Sequence, residues 1–374
     1  MEPRSAYVHV PFCAHHCGYC NFTVVAGRGD LIDEFLQAVE RELALLSKVH
    51  EVDTLYFGGG TPTQLSGEQF RRLFRSVAER CRPAGDGEIT VEANPADVSI
   101  EKLRMLAALG VNRISLGAQS FRDEHLKLLE RDHRGEDIAQ SVQMARDCGI
   151  DSVAIDLIFA VPGQTLDDWR RDLDAALAVG PNHVSTYGLT FERGTTFYGR
   201  LQSGNLIESP DEMQREMYEA AIETLASAGF EHYEISNFAL PGRHSRHNEV
   251  YWTGRPYLAF GPGAARFING RRETNHRSVT KYLQRIANGQ SPVAESETLA
   301  PEDAARERLV FGLRRLEGVS LAEFQRETGF EITKLVGPAM ERFVAMGLLE
   351  IHDGRLRLTR DGLLVSDSIW PEFL

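Results

Sequence analysis

The sequence predicts an α/β fold: a partial (β/α)6, TIM-like barrel with a C-terminal α+β extension and a winged-helix-like domain. Three observations lead there. Helix-period and strand-like segments alternate from residue 31 to about residue 192 without hairpin signals, which implies parallel strands joined by right-handed crossovers. Glycines and polar side chains recur at one strand end after another, as at a barrel mouth. Beyond about residue 302 the pattern becomes short helices and a single hairpin.

The elements justify this in order. AYVHV enters a strand-like alternation almost at once. Residues 31–48 (LIDEFLQAVERELALLSK) place apolar side chains at helical spacing, and DTLYFGGG at 53–60 reads as a buried strand running into a glycine turn. The unit repeats as helix 67–80 and strand 88–95, helix 99–109 and strand 112–120, helix 136–148 and strand 152–163, then helix 167–178 and strand 182–192. Residues 1–230 are the expected barrel core, 231–300 a connecting segment, and 301–374 the terminal domain. There EDAARERLVFGLRRLEGV, SLAEFQRETG and LVGPAMERFVAMGLLE read as helices, and LEIHDGRLRLTRDG as a hairpin turning at Asp353-Gly354.

Charge and apolar content exclude several classes. Lys+Arg 41 against Asp+Glu 54 gives a net charge of −13, which repels a phosphate backbone, so no nucleic-acid partner is expected. The helix around 334–346 carries Lys334, Glu341 and Arg342 without a basic stripe, so the terminal domain reads as a lid or platform over the barrel mouth. No apolar run approaches the roughly 20 residues of a membrane span. The N-terminus, MEPRSAYVHVPFC, shows no apolar signal core, so a cytoplasmic location is expected.

Five cysteines are too few for a disulfide framework. Cys81 and Cys148 lie alone in helical patterns and read as small apolar core residues. Cys13, Cys17 and Cys20 form C-x3-C-x2-C within PFCAHHCGYCNF, a chelating spacing. Zinc takes four ligands, and although His15 and His16 lie in the loop, no second pair completes a tetrahedron. An iron-sulfur cubane suits three thiolates and leaves one iron open to a small molecule. The other strand ends offer Gly58 to Pro62, Glu92, Asn94, Gln119, Ser120 and Asp156 to the same mouth. Each alone could be a tight bend or a solvated cap; their shared topology singles them out.

C-x3-C-x2-C with Tyr19 inside the last spacing, followed by GGGTP, resembles the radical S-adenosylmethionine superfamily. AYVHVPFC, YFGGGTPT, VEANP, ISLGAQSF, DLIFAVPGQT, YEISNFALPG and HNEVYW together resemble the family of oxygen-independent coproporphyrinogen III oxidase, in particular its heme-chaperone (HemW) branch, over nearly the whole chain. The resemblance implies a [4Fe-4S] cluster on Cys13, Cys17 and Cys20. It places Tyr7, Gly59, Gly60, Thr61, Glu92, Gln119, Arg131 and Asp156 around S-adenosylmethionine. Glycines let backbone approach a ligand, Arg131 can pair with a carboxylate, and carboxylates suit an ammonium or ribose hydroxyls.

Two functions follow from the resemblance, a porphyrinogen oxidase and a heme carrier, with a radical methylase as a third on the same scaffold. Oxidases of the family resemble C-x3-C-x2-C-x-C, whereas here Phe22 stands at the last position, and they carry a longer segment before the first cysteine. His247-Asn248-Glu249-Val250-Tyr251-Trp252 resembles the HNxxYW signature of the heme-chaperone branch. It nominates His247, Asn248, Tyr251 and Trp252 for heme, with His247 as axial ligand; the alternative is that His247 and Trp252 cap and pack a loop. The branch commonly resembles G-x-G-A-H next, where Ala265 here replaces the histidine; His232, His244 and His276 are candidates to compensate, but each reads as a surface residue. Heme or porphyrin and heme-acceptor proteins are the implied partners, and a homodimer is left open.

Overall fold

The computed structural model describes residues 2–374. Its main sheet has nine strands in the spatial order Leu258–Phe260, Ser5–Val10, His50–Gly59, Cys81–Ala93, Arg113–Gln119, Ser152–Phe159, His183–Gly188, Asn237–Ala239, Glu231–Glu234. All pairs up to His183–Gly188 are parallel, and the last two are antiparallel. Six parallel strands with their crossover helices make the partial barrel. Its two edge strands, Leu258–Phe260 and Glu231–Glu234, do not pair, so the barrel stays open along one side.

Helices form where the periodicity predicts, with sharper ends. Ile32–Ala44 packs Phe35, Leu36, Val39 and Leu43 against the sheet. It ends before residue 48, where Leu45 points to solvent and only Leu46 still packs against the core. Gly67–Arg80 and Leu166–Ala178 begin with reciprocal capping boxes, Ser66 with Gln69 and Thr165 with Asp168. Strands alternate as barrels require: Leu55, Phe57, Ile114 and Leu116 face the helices, while Thr54, Tyr56, Arg113 and Ser115 face the lumen side.

Three features depart from the sequence reading. Cys81 is buried as expected but opens the strand Cys81–Ala93, which begins well before residue 88; Cys148 caps a helix and is only partly buried. The segment 231–300 contributes three strands to the main sheet and so extends the barrel layer. The helices Asp123–Leu128, Thr196–Gln202 and Asp211–Ser227 fill stretches to which the periodicity assigned nothing.

The apolar side chains of Pro301–Leu313, Leu321–Thr328 and Ile332–Ala345 form a second core with the hairpin Leu349–His352 and Arg355–Leu358. Asp353 and Gly354 take φ of 48° and 72°, the left-handed pair that a two-residue hairpin needs. Ile332–Ala345 breaks at Val336, just ahead of Pro338. No helix among the described residues is long and apolar enough to cross a membrane.

Candidate functional site

The strand pair Phe12–Cys13 and Val25–Ala26 closes the cysteine loop at the C-terminal rim of the barrel. Cys13, Cys17 and Cys20 are free, half-buried thiols, and all three line one cavity of about 1500 Å³. Each sulfur has a donor: Thr61 Oγ1 to Cys13 at 3.5 Å, Arg131 Nη1 to Cys17 at 3.7 Å and the Phe22 amide to Cys20 at 3.5 Å. Donors to sulfur favour the thiolate that a metal cluster requires. Burial pushes the Cys13 thiol up to about 11, and a bound cation would displace its proton. No group of three or more His, Cys, Asp or Glu side chains among the described residues could hold a single metal ion. A cubane instead spreads its thiolates over separate corners.

Gly58, Gly59 and Gly60 are dictated by packing. A Cβ on Gly60 would lie 2.8 Å from the carbonyl oxygens of Val10 and Phe12, and one on Gly59, where φ is 105°, would overlap the His9 ring. The turn aims the Gly59 amide at Glu92 Oε2, 2.9 Å away, while the Tyr56 hydroxyl donates to Oε1 at 2.8 Å. Burial still outweighs these donors and raises the Glu92 carboxyl to about 7. Asp156 is raised for the same reason and accepts from Ser115 Oγ at 3.2 Å.

Arg131 Nη2 donates to Asn94 Oδ1 and to the Gly117 carbonyl, both at 2.9 Å, while its buried Nε has no partner. Gln119, Glu130 and Ala160 take φ of 64°, 56° and 61°, and all three sit just where strands or helices meet the rim. Left-handed backbone at non-glycine residues stores strain and gathers at functional sites.

Gly59, Gly60, Thr61, Glu92, Gln119, Arg131 and Asp156 therefore share the wall that carries the three cysteines. Tyr7 is not in that wall. It lies beneath, with its hydroxyl on His9 Nδ1 at 3.1 Å, while His9 Nε2 donates to the Thr23 carbonyl at 2.7 Å and ties the strand to the cysteine loop.

The HNxxYW segment sits elsewhere. Arg246–Trp252 is a short helix that plugs the opposite, N-terminal end of the barrel, where the Glu88 carboxylate accepts from the Arg246 and His247 amides at 3.0 Å each. His247 is 1% exposed. Its Nδ1 bonds Thr54 Oγ1 at 2.8 Å, its Nε2 bonds the Tyr251 hydroxyl at 2.9 Å, and its ring stacks on Tyr56 at 4.9 Å. Burial depresses it to about 3, so it is neutral, with one ring nitrogen donating and the other accepting. No lone pair is left for a heme iron in this arrangement. Trp252 packs under the Arg314 guanidinium at 4.5 Å, and Asn248 alone of the four nominated residues lines the cavity. This is the capping and packing alternative, and the reason is topological: the motif follows Asn237–Ala239, which runs antiparallel to His183–Gly188 and so delivers the chain to the N-terminal end of the barrel, away from the cluster loop.

The segment Gly261 to Ala265 braces the cysteine loop from beneath. Cβ atoms on Gly261 or Gly263 would strike the His9 carbonyl or Thr23, and Ala265 pairs with Thr274 in a peripheral hairpin. His232, His244 and His276 are all at least partly covered: His232 stacks on Phe238 at 4.1 Å, and His244 bonds Glu231 at 2.9 Å. Sequence reasoning missed Tyr56, Arg113, His183 and Tyr187 on the lumen wall; residues 361–368, in the terminal domain expected to act as a lid or platform, line the cavity from above. Lumen alternation along each strand was the one signal that could have found the first four.

The Radical SAM superfamily model matches residues 7–176, and the HemN C-terminal domain model matches residues 299–365. The heme chaperone HemW of Bacillus subtilis (strain 168) is 36% identical over 375 residues, 99% of each chain. That of Lactococcus lactis is 35% identical, covering 100% of this chain and 98% of the other. The mitochondrial radical S-adenosyl methionine domain-containing protein 1 of Danio rerio is 33% identical over 99% of this chain and 86% of its own. The solved structure of coproporphyrinogen III oxidase (HemN) from Escherichia coli, a radical SAM enzyme, superposes with a TM-score of 0.87 at 23% identity over 99% of this chain and 90% of the other, which shows a common fold. With the cysteine loop, the glycine turn and the roofing domain in one full-length match, the chain belongs to the HemW family of radical SAM proteins.

Proposed function

We propose that this protein is a heme carrier, holding a [4Fe-4S] cluster on Cys13, Cys17 and Cys20, binding S-adenosylmethionine beside it, and passing heme to acceptor proteins. The observation that carries the reading is the cavity: three thiols and a polar strand-end wall face a space larger than the 300–1,000 Å³ of an ordinary small-ligand pocket. The residues fit both groups. Gly59 and Gly60 line the cavity with no side chain between backbone and ligand, Arg131 Nε lacks a partner, and Glu92 and Asp156 are carboxylates suited to an ammonium and ribose hydroxyls. A bound cluster would supply an open iron to chelate the methionyl group of S-adenosylmethionine. Gly59, Gly60, Thr61 and Gln119 would orient that molecule, and Arg131 would hold its carboxylate.

The carrier reading is favoured over the oxidase by Phe22, which is 65% exposed where the oxidases resemble a further cysteine. It draws further support from the name that the bacterial relatives carry. For heme itself, the contact we assign within the HNxxYW segment is Asn248, with His247, Tyr251 and Trp252 acting as the brace behind it. Anaerobic reconstitution should give an iron-sulfur chromophore that is lost in Cys13→Ala, Cys17→Ala and Cys20→Ala. Heme titration should give a Soret band that persists, at lower protein stability, in His247→Ala. Coproporphyrinogen should be recovered unchanged, and decarboxylated product would replace the carrier with the oxidase.

A further inference from the structure

Arg113 stands on the lumen side of the strand Arg113–Gln119, two lumen positions below Gly117 and hence about 13 Å down the strand from that rim residue. It is 3% exposed, it lines the cavity, and its Nε has no hydrogen-bond partner. A buried Nε–H without a partner is costly, because a donor gives up water for nothing, while the guanidinium's remaining nitrogens, which no protein group receives, face the cavity. The nearby carboxylates are engaged elsewhere: Glu92 by Tyr56 and Gly59, Asp156 by Ser115. Arg113 acts on both only through its charge, opposing the rise that burial imposes on them.

Arg113 is not alone. His183 Nδ1 and Thr186 Oγ1 are also buried, also line the cavity and also lack partners, and Asn248 of the plugging helix faces the same space. The lower part of the cavity is therefore a set of polar atoms, led by the Arg113 guanidinium, with no protein group to receive them; Arg314, whose Nε is also unpartnered, stacks on Trp252 instead. Nearer the mouth the character reverses. Tyr187 and Val365, 43% and 42% exposed, are among the few large apolar side chains left uncovered, and both border this cavity, one from the barrel and one from the roof. Apolar walls over a cationic floor match a flat apolar ligand that carries carboxylate arms.

Resting on the heme-carrier reading, we infer that the barrel floor is a carboxylate subsite in which Arg113, flanked by His183, Thr186 and Asn248, receives one propionate arm of the bound tetrapyrrole. The macrocycle then lies above, between Tyr187 and Val365, and the HNxxYW segment serves heme by holding the floor in place. The methionyl carboxylate of S-adenosylmethionine has the same chemistry, and the test separates the two sources.

Heme and heme dimethyl ester are titrated into the reconstituted wild-type protein and into Arg113→Met, in the same solvent, with the Soret band as readout; S-adenosylmethionine is titrated into both proteins in parallel. A charge-assisted pair predicts that the wild type prefers the diacid by roughly tenfold to a hundredfold. Arg113→Met should reduce that preference to about twofold by weakening the diacid and not the ester. Equal affinity of the wild type for diacid and ester overturns the subsite, and it does so even if the variant fails to fold. A preference that survives in Arg113→Met overturns it too. Loss of S-adenosylmethionine affinity with the diacid preference intact assigns the cation to the methionyl carboxylate instead. Absence of any heme binding by the wild type rejects the carrier reading itself, whereas heme bound without preference rejects only the floor.

Discussion

Glu92 shows how one side chain couples the fold to the site. It accepts from Tyr56 and the Gly59 amide, and Tyr56 in turn stacks on His247, so the plug at the bottom of the barrel positions a carboxylate two layers above it. Burial lifts that carboxyl to about 7, leaving it neutral below neutrality and charged above. If the charged form receives the cation of S-adenosylmethionine, affinity should rise with pH from 6 toward 8, approaching tenfold per unit on the acid side. Glu92→Gln should bind weakly and without that slope. Isothermal titration over this range checks it, and a flat wild-type profile would remove Glu92 from the contact.

Among the elements, Arg246–Trp252 has only seven residues and cannot be stable by helix propensity alone. Its start is held from outside. Ser245 caps the Asn248 amide, and the buried Glu88 carboxylate receives the Arg246 and His247 amides, pairing a negative charge with the positive end of the helix. Glu88→Ala should therefore destabilise the protein by about 2–4 kcal/mol, as two charge-assisted bonds are lost and two amides are left buried. Urea unfolding measures this, and a loss under about 0.5 kcal/mol would show the plug to be held by packing instead. The hairpin at Asp353-Gly354 and the capped helices needed no such distant partner, which is why local pattern was enough to find them.

At the scale of the molecule, acid should unfold this protein readily. His9 and His133 are depressed to about 4, His247 to about 3 and His183 well below its usual value, all chiefly by burial. An unfolded histidine binds its proton near 6.5, so below that pH the unfolded chain takes up protons that the folded chain refuses. Each such group then lowers stability by about 1.4 kcal/mol per pH unit until its folded value is reached. Glu92 works in the opposite sense, since its folded value lies above the unfolded one and it favours the folded state as pH falls toward 4.5. His232, also depressed to about 4, adds to the histidine side, and Glu42 and Asp156, raised by burial, add to that of Glu92; the histidines, whose unfolded values fall inside this range, should prevail, and the thermal midpoint should drop from pH 7 to pH 5.5. A midpoint that holds or rises over that range would contradict the burial of these rings.

Sequence by itself determined the alternation of helix and strand, the cysteine spacing, the glycine turn and the polar strand ends. Those signals are local: a helix buries one stripe, a strand buries alternate positions, and a chelating loop needs its ligands within a few residues. What only the tertiary structure decided is which end of the barrel each motif occupies. HNEVYW reads the same whether it faces a ligand or fills a hole, and its place at the closed end, with His247 between Thr54 and Tyr251, depends on strands nearly 200 residues away. Arg113 looked like the ordinary start of a strand, yet the barrel turned it inward without a partner. Burial and partnership belong to the assembled sheet, and no stretch of chain carries them alone.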